Sequence, residues 1–133
     1  MMGTSHVLVA GAGWGVALAA LHSRGSLSTT EMVYSVPIAL TMGLGPDIDI
    51  RMGSIVQDLL GGHRGWTHTL IGWALVTGFC FAVFDGIVRS APADVALGRP
   101  WVFTMAASWG WLCHMIADTC TVGGVPWLKP FTN

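Results

Sequence analysis

A chain of 133 residues has room for one domain, yet 53% of its residues are hydrophobic and only 10% are charged. Soluble domains carry about 25% charged residues; with a mean hydropathy of +0.62 this chain cannot clothe its surface in polar groups, and lipid is its expected solvent. A net charge of −1 provides no basic footprint, so nucleic acid is set aside as a partner.

Residues 1–23 contain no Lys, Arg, Asp or Glu, and the run from Val7 to Leu21 predicts a first membrane helix. Ala17-Leu18-Ala19 has the small residues of a signal-peptide cleavage site, but the positive leader is missing, which favours a retained helix. Gly11 and Gly15 lie four apart with no strand before them, a pattern for close helix packing rather than for a nucleotide loop. A polar turn from His22 to Glu31 leads into a second apolar run, Met32 to Leu44. This run is short for the roughly 20 residues a span needs, and Pro37 and Gly43 within it predict a kinked or tilted helix.

The second run closes at Gly45-Pro46-Asp47-Ile48-Asp49. In the connection 50–67, the helical spacing of Ile55, Val56, Leu59 and Leu60 predicts a short interfacial helix. A third span is expected from Thr69 to Phe84, then a loop from Asp85 to Pro100 with Pro92 and Pro100 as breakers. A fourth runs from Trp101, an interface anchor, to Ala117. The expected fold is all-α: one membrane-embedded domain over 1–133, a bundle of four transmembrane helices with the interfacial helix between the second and third. Cys80, Cys113 and Cys120 are an odd number without paired metal spacing; two fall inside apolar runs and read as small buried thiols, and a disulfide framework is disfavoured.

An up-down-up-down bundle has a consequence for the ionisable groups. His6 opens the first helix, Asp47 and Asp49 close the second, His63 and His68 open the third, and His114 and Asp118 close the fourth. All seven fall at one membrane face. His114 and Asp118 are four apart and share a helix side; an extended backbone after Pro46 turns both Asp47 and Asp49 toward one pocket. Mixed imidazole and carboxylate ligands suit zinc, with manganese or iron as alternatives. Seven candidates exceed one zinc's needs, so a site of one or two divalent ions, activating a water, is expected. Read singly, each is also compatible with a bland role: an interfacial histidine, a solvated helix-end carboxylate, a loop histidine. Arg64 fits either a lipid phosphate at the interface or a substrate phosphate.

Three blocks, Gly45-Pro46-Asp47-Ile48-Asp49, His63-Arg64-Gly65-Trp66-Thr67-His68 and His114-Met115-Ile116-Ala117-Asp118, make the chain resemble the bacterial LexA-regulated, membrane-bound metal-dependent hydrolases, a YdjM-like family. His6, Thr119, Thr121, Gly124-Val125-Pro126 and Pro130-Phe131 extend the likeness over nearly the whole chain. The resemblance implies a multi-pass protein of the bacterial inner membrane, loosely similar to zinc phospholipases C. Two departures stand out. Ile50 replaces a histidine common in relatives. The chain also stops at Asn133, where relatives often continue with a basic segment, so a substrate-covering region is expected to be missing.

The residues and the resemblance together give a metal-dependent hydrolase expectation. His6, Asp47, Asp49, His63, His68, His114 and Asp118 hold the metal; a metal-activated water attacks a phosphoester, such as a lipid entering from the bilayer. Arg64 steadies the phosphate and Asp49 acts as general base. The rivals are a non-enzymatic membrane subunit with a structural metal or partner-binding cluster, and an ion or proton pathway. The pathway is disfavoured because no relay groups occupy the bilayer middle. Arg51, Arg64 and Lys129 on one side balance Arg24, Arg89 and Arg99 on the other, so the charges set no orientation. The lipid bilayer is the expected partner, and an oligomer is left open.

Overall fold

A computed structural model describes residues 2–47, 54–59, 62, 65–121, 123–129 and 131. It is helical, and no strand occurs among the described residues. Four long helices, α1 (Met2–Ser23), α2 (Thr29–Met42), α4 (Leu70–Ser90) and α5 (Pro100–Thr119), are joined by a short α3 (Ser54–Leu59) and two 3₁₀ turns, Gly45–Asp47 and Trp66–His68. The short helix expected between the second and third long ones is therefore present.

Local chemistry explains the boundaries. Ser28 caps α2 through a reciprocal pair: its hydroxyl accepts from the Glu31 amide while the Glu31 carboxylate accepts from the Ser28 amide, which satisfies amides a helix start would leave orphaned. Thr69 caps α4 through the Gly72 amide, and Pro100 occupies the first turn of α5, where its missing N–H costs nothing. One boundary differs from expectation. Asp85 does not end the third helix; it pairs with Arg89 one turn on, at 2.6 Å, and α4 runs to Ser90. Ala91, extended before Pro92, stops it.

The helix that organises the bundle is α5, against which α1, α2 and α4 all pack, while α1 also packs on α2. Small residues permit this. A Cβ on Gly110 would fall 2.2 Å from the Ala39 carbonyl oxygen, so α2 and α5 meet backbone to backbone there. Trp14, Ala39 and Ala106 form the buried core beside that contact, and the Trp14 indole donates to Ser35. Of the two α1 glycines expected at an interface, Gly11 abuts Leu40, but Gly15 faces open space; Gly13, against Trp109, takes its place.

Among the described residues, two helices, over Thr4–Ser23 and Leu70–Ser90, are long and apolar enough to cross a membrane. At 14 residues, α2 is only about 21 Å long. The outward side of α4 is apolar, with Phe79 70% exposed.

Starts and ends alternate, so the bundle has two chemically distinct ends. One gathers the start of α1, the end of α2, the second 3₁₀ turn and the end of α5. The other holds Glu31 at the start of α2 and Arg99 just before α5. There Arg99 donates to Glu31 from Nε at 2.6 Å, from Nη2 at 2.9 Å and from its backbone amide at 2.9 Å. A further Nη2 bond reaches the Ser26 carbonyl. Glu31 precedes the apolar part of α2, and the Arg99 guanidinium holds its carboxyl at about 2, well below the usual carboxylate range.

Candidate metal centre

The first end is built by four segments that each deliver a side chain. α5 carries His114 and Asp118 on one side, as their spacing requires. The first 3₁₀ turn, continuing α2 past Gly43, carries Asp47. The second carries His68 and is held twice: the Trp111 indole donates to the Thr67 carbonyl at 2.9 Å, and the Leu70 amide donates to the Trp127 carbonyl at 3.0 Å. Gly72 is required where this turn folds back onto α4, because a Cβ would come 1.9 Å from the Trp66 carbonyl oxygen.

Ligand atoms of Asp47, His68, His114 and Asp118 lie within 4.8 Å of one another. His68 and His114 are fully buried, and Asp118 is 3% exposed. His114 Nε2 stands 3.3 Å from Asp47 Oδ1 and 3.8 Å from Asp118 Oδ2. His68 Nε2 stands 3.7 Å and 3.5 Å from the same two oxygens. Ligands at ~2.0–2.1 Å from a tetrahedral zinc are separated by about 3.3 Å across the ion, and the observed gaps bracket that spacing from above.

The histidine tautomers matter here. His114 Nδ1 lies 2.8 Å from the Gly43 carbonyl oxygen. That oxygen can only accept, so Nδ1 carries a proton. Nε2 makes no hydrogen bond although it is buried. In the neutral ring Nε2 presents a lone pair to two carboxylate oxygens, a repulsive arrangement that a proton on Nε2 or a cation between them reverses. His68 Nδ1 lies 3.0 Å from the Thr67 hydroxyl, which is placed to accept from it and leave Nε2 for the same cation. The residues present therefore fit a divalent ion with nitrogen and oxygen ligands.

His6 reaches the cluster differently. Its Nε2 is 2.8 Å from Asp118 Oδ1, the oxygen other than the one facing His68 and His114, and its ring lies 4.2 Å from that of His114. It joins the buried site through Asp118. Asp49, His63 and Arg64 lie outside the described residues, as does any second ion they would serve. His22, in the last turn of α1, and Asp85, paired with Arg89, lie away from the cluster. Reasoning from sequence missed the backing groups: the Gly43 carbonyl, Thr67 and Trp111. Thr67 was visible as the residue before His68, whereas a carbonyl has no sequence signal.

Apolar long helices around a buried His–Asp cluster define a class: helical membrane proteins with a candidate metal centre at one end of the bundle. Within that class the chain belongs to the YdjM inner membrane protein family, whose sequence model matches residues 1–133. It is similar to the inner membrane protein YdjM of Escherichia coli (strain K12), 35% identical over 114 residues that cover 78% of this chain and 53% of the relative. The protein of the same name from Shigella flexneri matches with the same identity and coverage. The chain thus spans about half the length of the curated relatives it matches. No solved structure matches it.

Proposed function

We propose that this chain is an inner-membrane protein whose four long helices all embed in the bilayer, and that its cluster is the centre of a metal-dependent phosphoester hydrolase. The carrying observation is the set of 3.3–3.8 Å gaps between two imidazole nitrogens and two carboxylate oxygens. Burying the Asp118 carboxylate and half-burying that of Asp47 in a bundle of this composition is costly, and such groups mark sites rather than scaffolds. Zinc suits the donor set best, with manganese and iron as alternatives.

When bound, the ion supplies Lewis acidity and lowers the pKa of water at the site. The chain's own groups do the rest. Asp118 is fixed by His6, and the two ring orientations are fixed by the Gly43 carbonyl and the Thr67 hydroxyl. Arg64 steadies the phosphate as a planar fork, and Asp49 takes the proton of the attacking water. The water oxygen bonds to phosphorus, the ester P–O bond breaks, and the proton leaves with the alcohol.

One observation favours a second reading. Four protein ligands close a tetrahedral zinc, the pattern of structural sites, whereas catalytic sites keep a position open. The non-enzymatic metal-holding subunit is therefore the rival. Two measurements on purified protein separate them: metal content, and zinc- or manganese-dependent hydrolysis of phosphoesters. The hydrolase reading expects turnover, with metal and activity lost together in Asp118→Ala. Full metal retention in that variant contradicts the ligand set; bound metal without turnover in the wild type establishes the rival.

A further inference from the structure

Among the described residues, α2 and α4 both pack along α5 but make little contact with each other. The space between them is an apolar cleft. Its lower part, a cavity of about 280 Å³, is walled by Ile38 of α2 and Phe84 and Val88 of α4, with Phe103 of α5 as its floor. The rings of Phe84 and Phe103 meet edge to face at 5.8 Å. A second cavity of about 270 Å³ shares Ile38 and Phe84 and continues upward to Thr41 and Met42. The two form one trough rising along α2 toward the end of the bundle that holds the cluster.

The upper end of the trough is informative. Met42 is the last residue of α2, Gly43 carries the carbonyl that orients His114, and Asp47 follows on the 3₁₀ turn. Asp47 is also the most accessible member of the group of four, with its side chain 23% exposed against 0–4% for the others. The site is thus least closed on the stretch of chain where the trough ends. Each cavity is just below the ~300–1,000 Å³ range of whole-ligand sites, a size for a segment of hydrocarbon chain. A lining this apolar offers a polar headgroup nothing, while the cluster above offers it a bound cation.

We propose that the α2–α4 trough is the acyl-chain subsite of the centre, so that the molecule it takes is a membrane phospholipid whose phosphate lies at the His–Asp cluster and whose chain lies against Ile38, Phe84 and Phe103. The inference rests on the metal-centre reading above and adds the substrate class to it. The rival occupant is bulk lipid, which would fill any trough of a membrane helix bundle without regard to its headgroup.

The test uses the full chain, zinc-loaded, in nanodiscs, with the non-hydrolysable phosphonate analogue of phosphatidic acid, bearing a diazirine in one acyl chain, as the probe. The matching diacylglycerol serves as the headgroup-free control. After illumination, labelled residues are located by mass spectrometry, and zinc per chain is measured on the same sample. The expected result is labelling at Ile38, Phe84 or Phe103 by the phosphonate-bearing probe. It should exceed that of diacylglycerol by at least about tenfold, the change one charge-assisted contact produces, and fall to the diacylglycerol level after zinc is stripped. Ile38→Trp, which fills the trough, should lose the labelling and keep its zinc. Zinc bound but labelling equal for both probes, or confined to other surfaces, overturns the trough alone. Absence of bound zinc overturns the metal-centre reading and this inference with it.

Discussion

The two ends of the bundle solve the problem of buried charge in opposite ways. At the Glu31–Arg99 end every partner is a protein group, at 2.6–2.9 Å and with hydrogen-bond geometry. The carboxylate also accepts from the Ser28 amide. At the other end His6 bonds one oxygen of Asp118 directly at 2.8 Å, but the Nε2 atoms of His68 and His114 face Asp47 Oδ1 and the other Asp118 oxygen across 3.3–3.8 Å, and the buried Nε2 of His114 makes no hydrogen bond. Direct bonds make a clamp; held-open gaps make room for an ion. The contrast separates a fastener, which sets the positions of α2 and α5, from a site, which those helices then position.

Breaking the site should leave the fastener intact. His114→Ala removes a ligand and should weaken zinc affinity by about 100-fold or more, exceeding the 10–100-fold typical of outer-shell changes, while the helical circular dichroism is unchanged. Titration against a zinc-buffering chelator measures this. Glu31→Gln should do the converse, lowering the thermal unfolding midpoint by several degrees with zinc content unchanged. Loss of zinc in Glu31→Gln, or of helix in His114→Ala, would show that the ends are not independent.

Much of this contrast was half visible in the sequence. His114 and Asp118 announce themselves by spacing, and the placement of Asp47 and His68 at the proper helix ends follows from counting passes through a bundle. What spacing cannot give is how a side chain reaches the cluster: His6 does so by its bond to Asp118, a pairing across 112 residues. The clamp was less legible. Ser28 and Glu31 form a readable capping box, but the partner of Glu31 lies 68 residues away in a loop whose conformation depends on Gly98 at φ +99. The end of α4 was misplaced because Asp85 reads as a helix stop alone and as a helix bond once Arg89 is counted with it.

Smaller effects sharpen the comparison. Thr67→Val removes the hydroxyl beside His68 Nδ1 and nothing else of comparable size. Zinc affinity should fall about tenfold, the low end for an orienting group, and thermal stability should hold. A last test is that of acid on the clamp. The Glu31 carboxyl titrates at about 2 rather than at its ordinary 4.5, a lowered value in the folded state. Its contribution is therefore complete above pH 4.5 and lost as pH falls toward 2. In wild type the unfolding midpoint should drop across that window more steeply than in Glu31→Gln; parallel curves would remove Glu31 as the cause.

The most direct test is zinc X-ray absorption on the purified wild-type chain, with metal counted in the same sample. The account predicts at least one ion per chain in a shell of nitrogen and oxygen only, about 2.0–2.1 Å away, with the scattering signature of two imidazoles. A chain that purifies and reconstitutes without stoichiometric metal, or whose ion is held by sulfur, contradicts it.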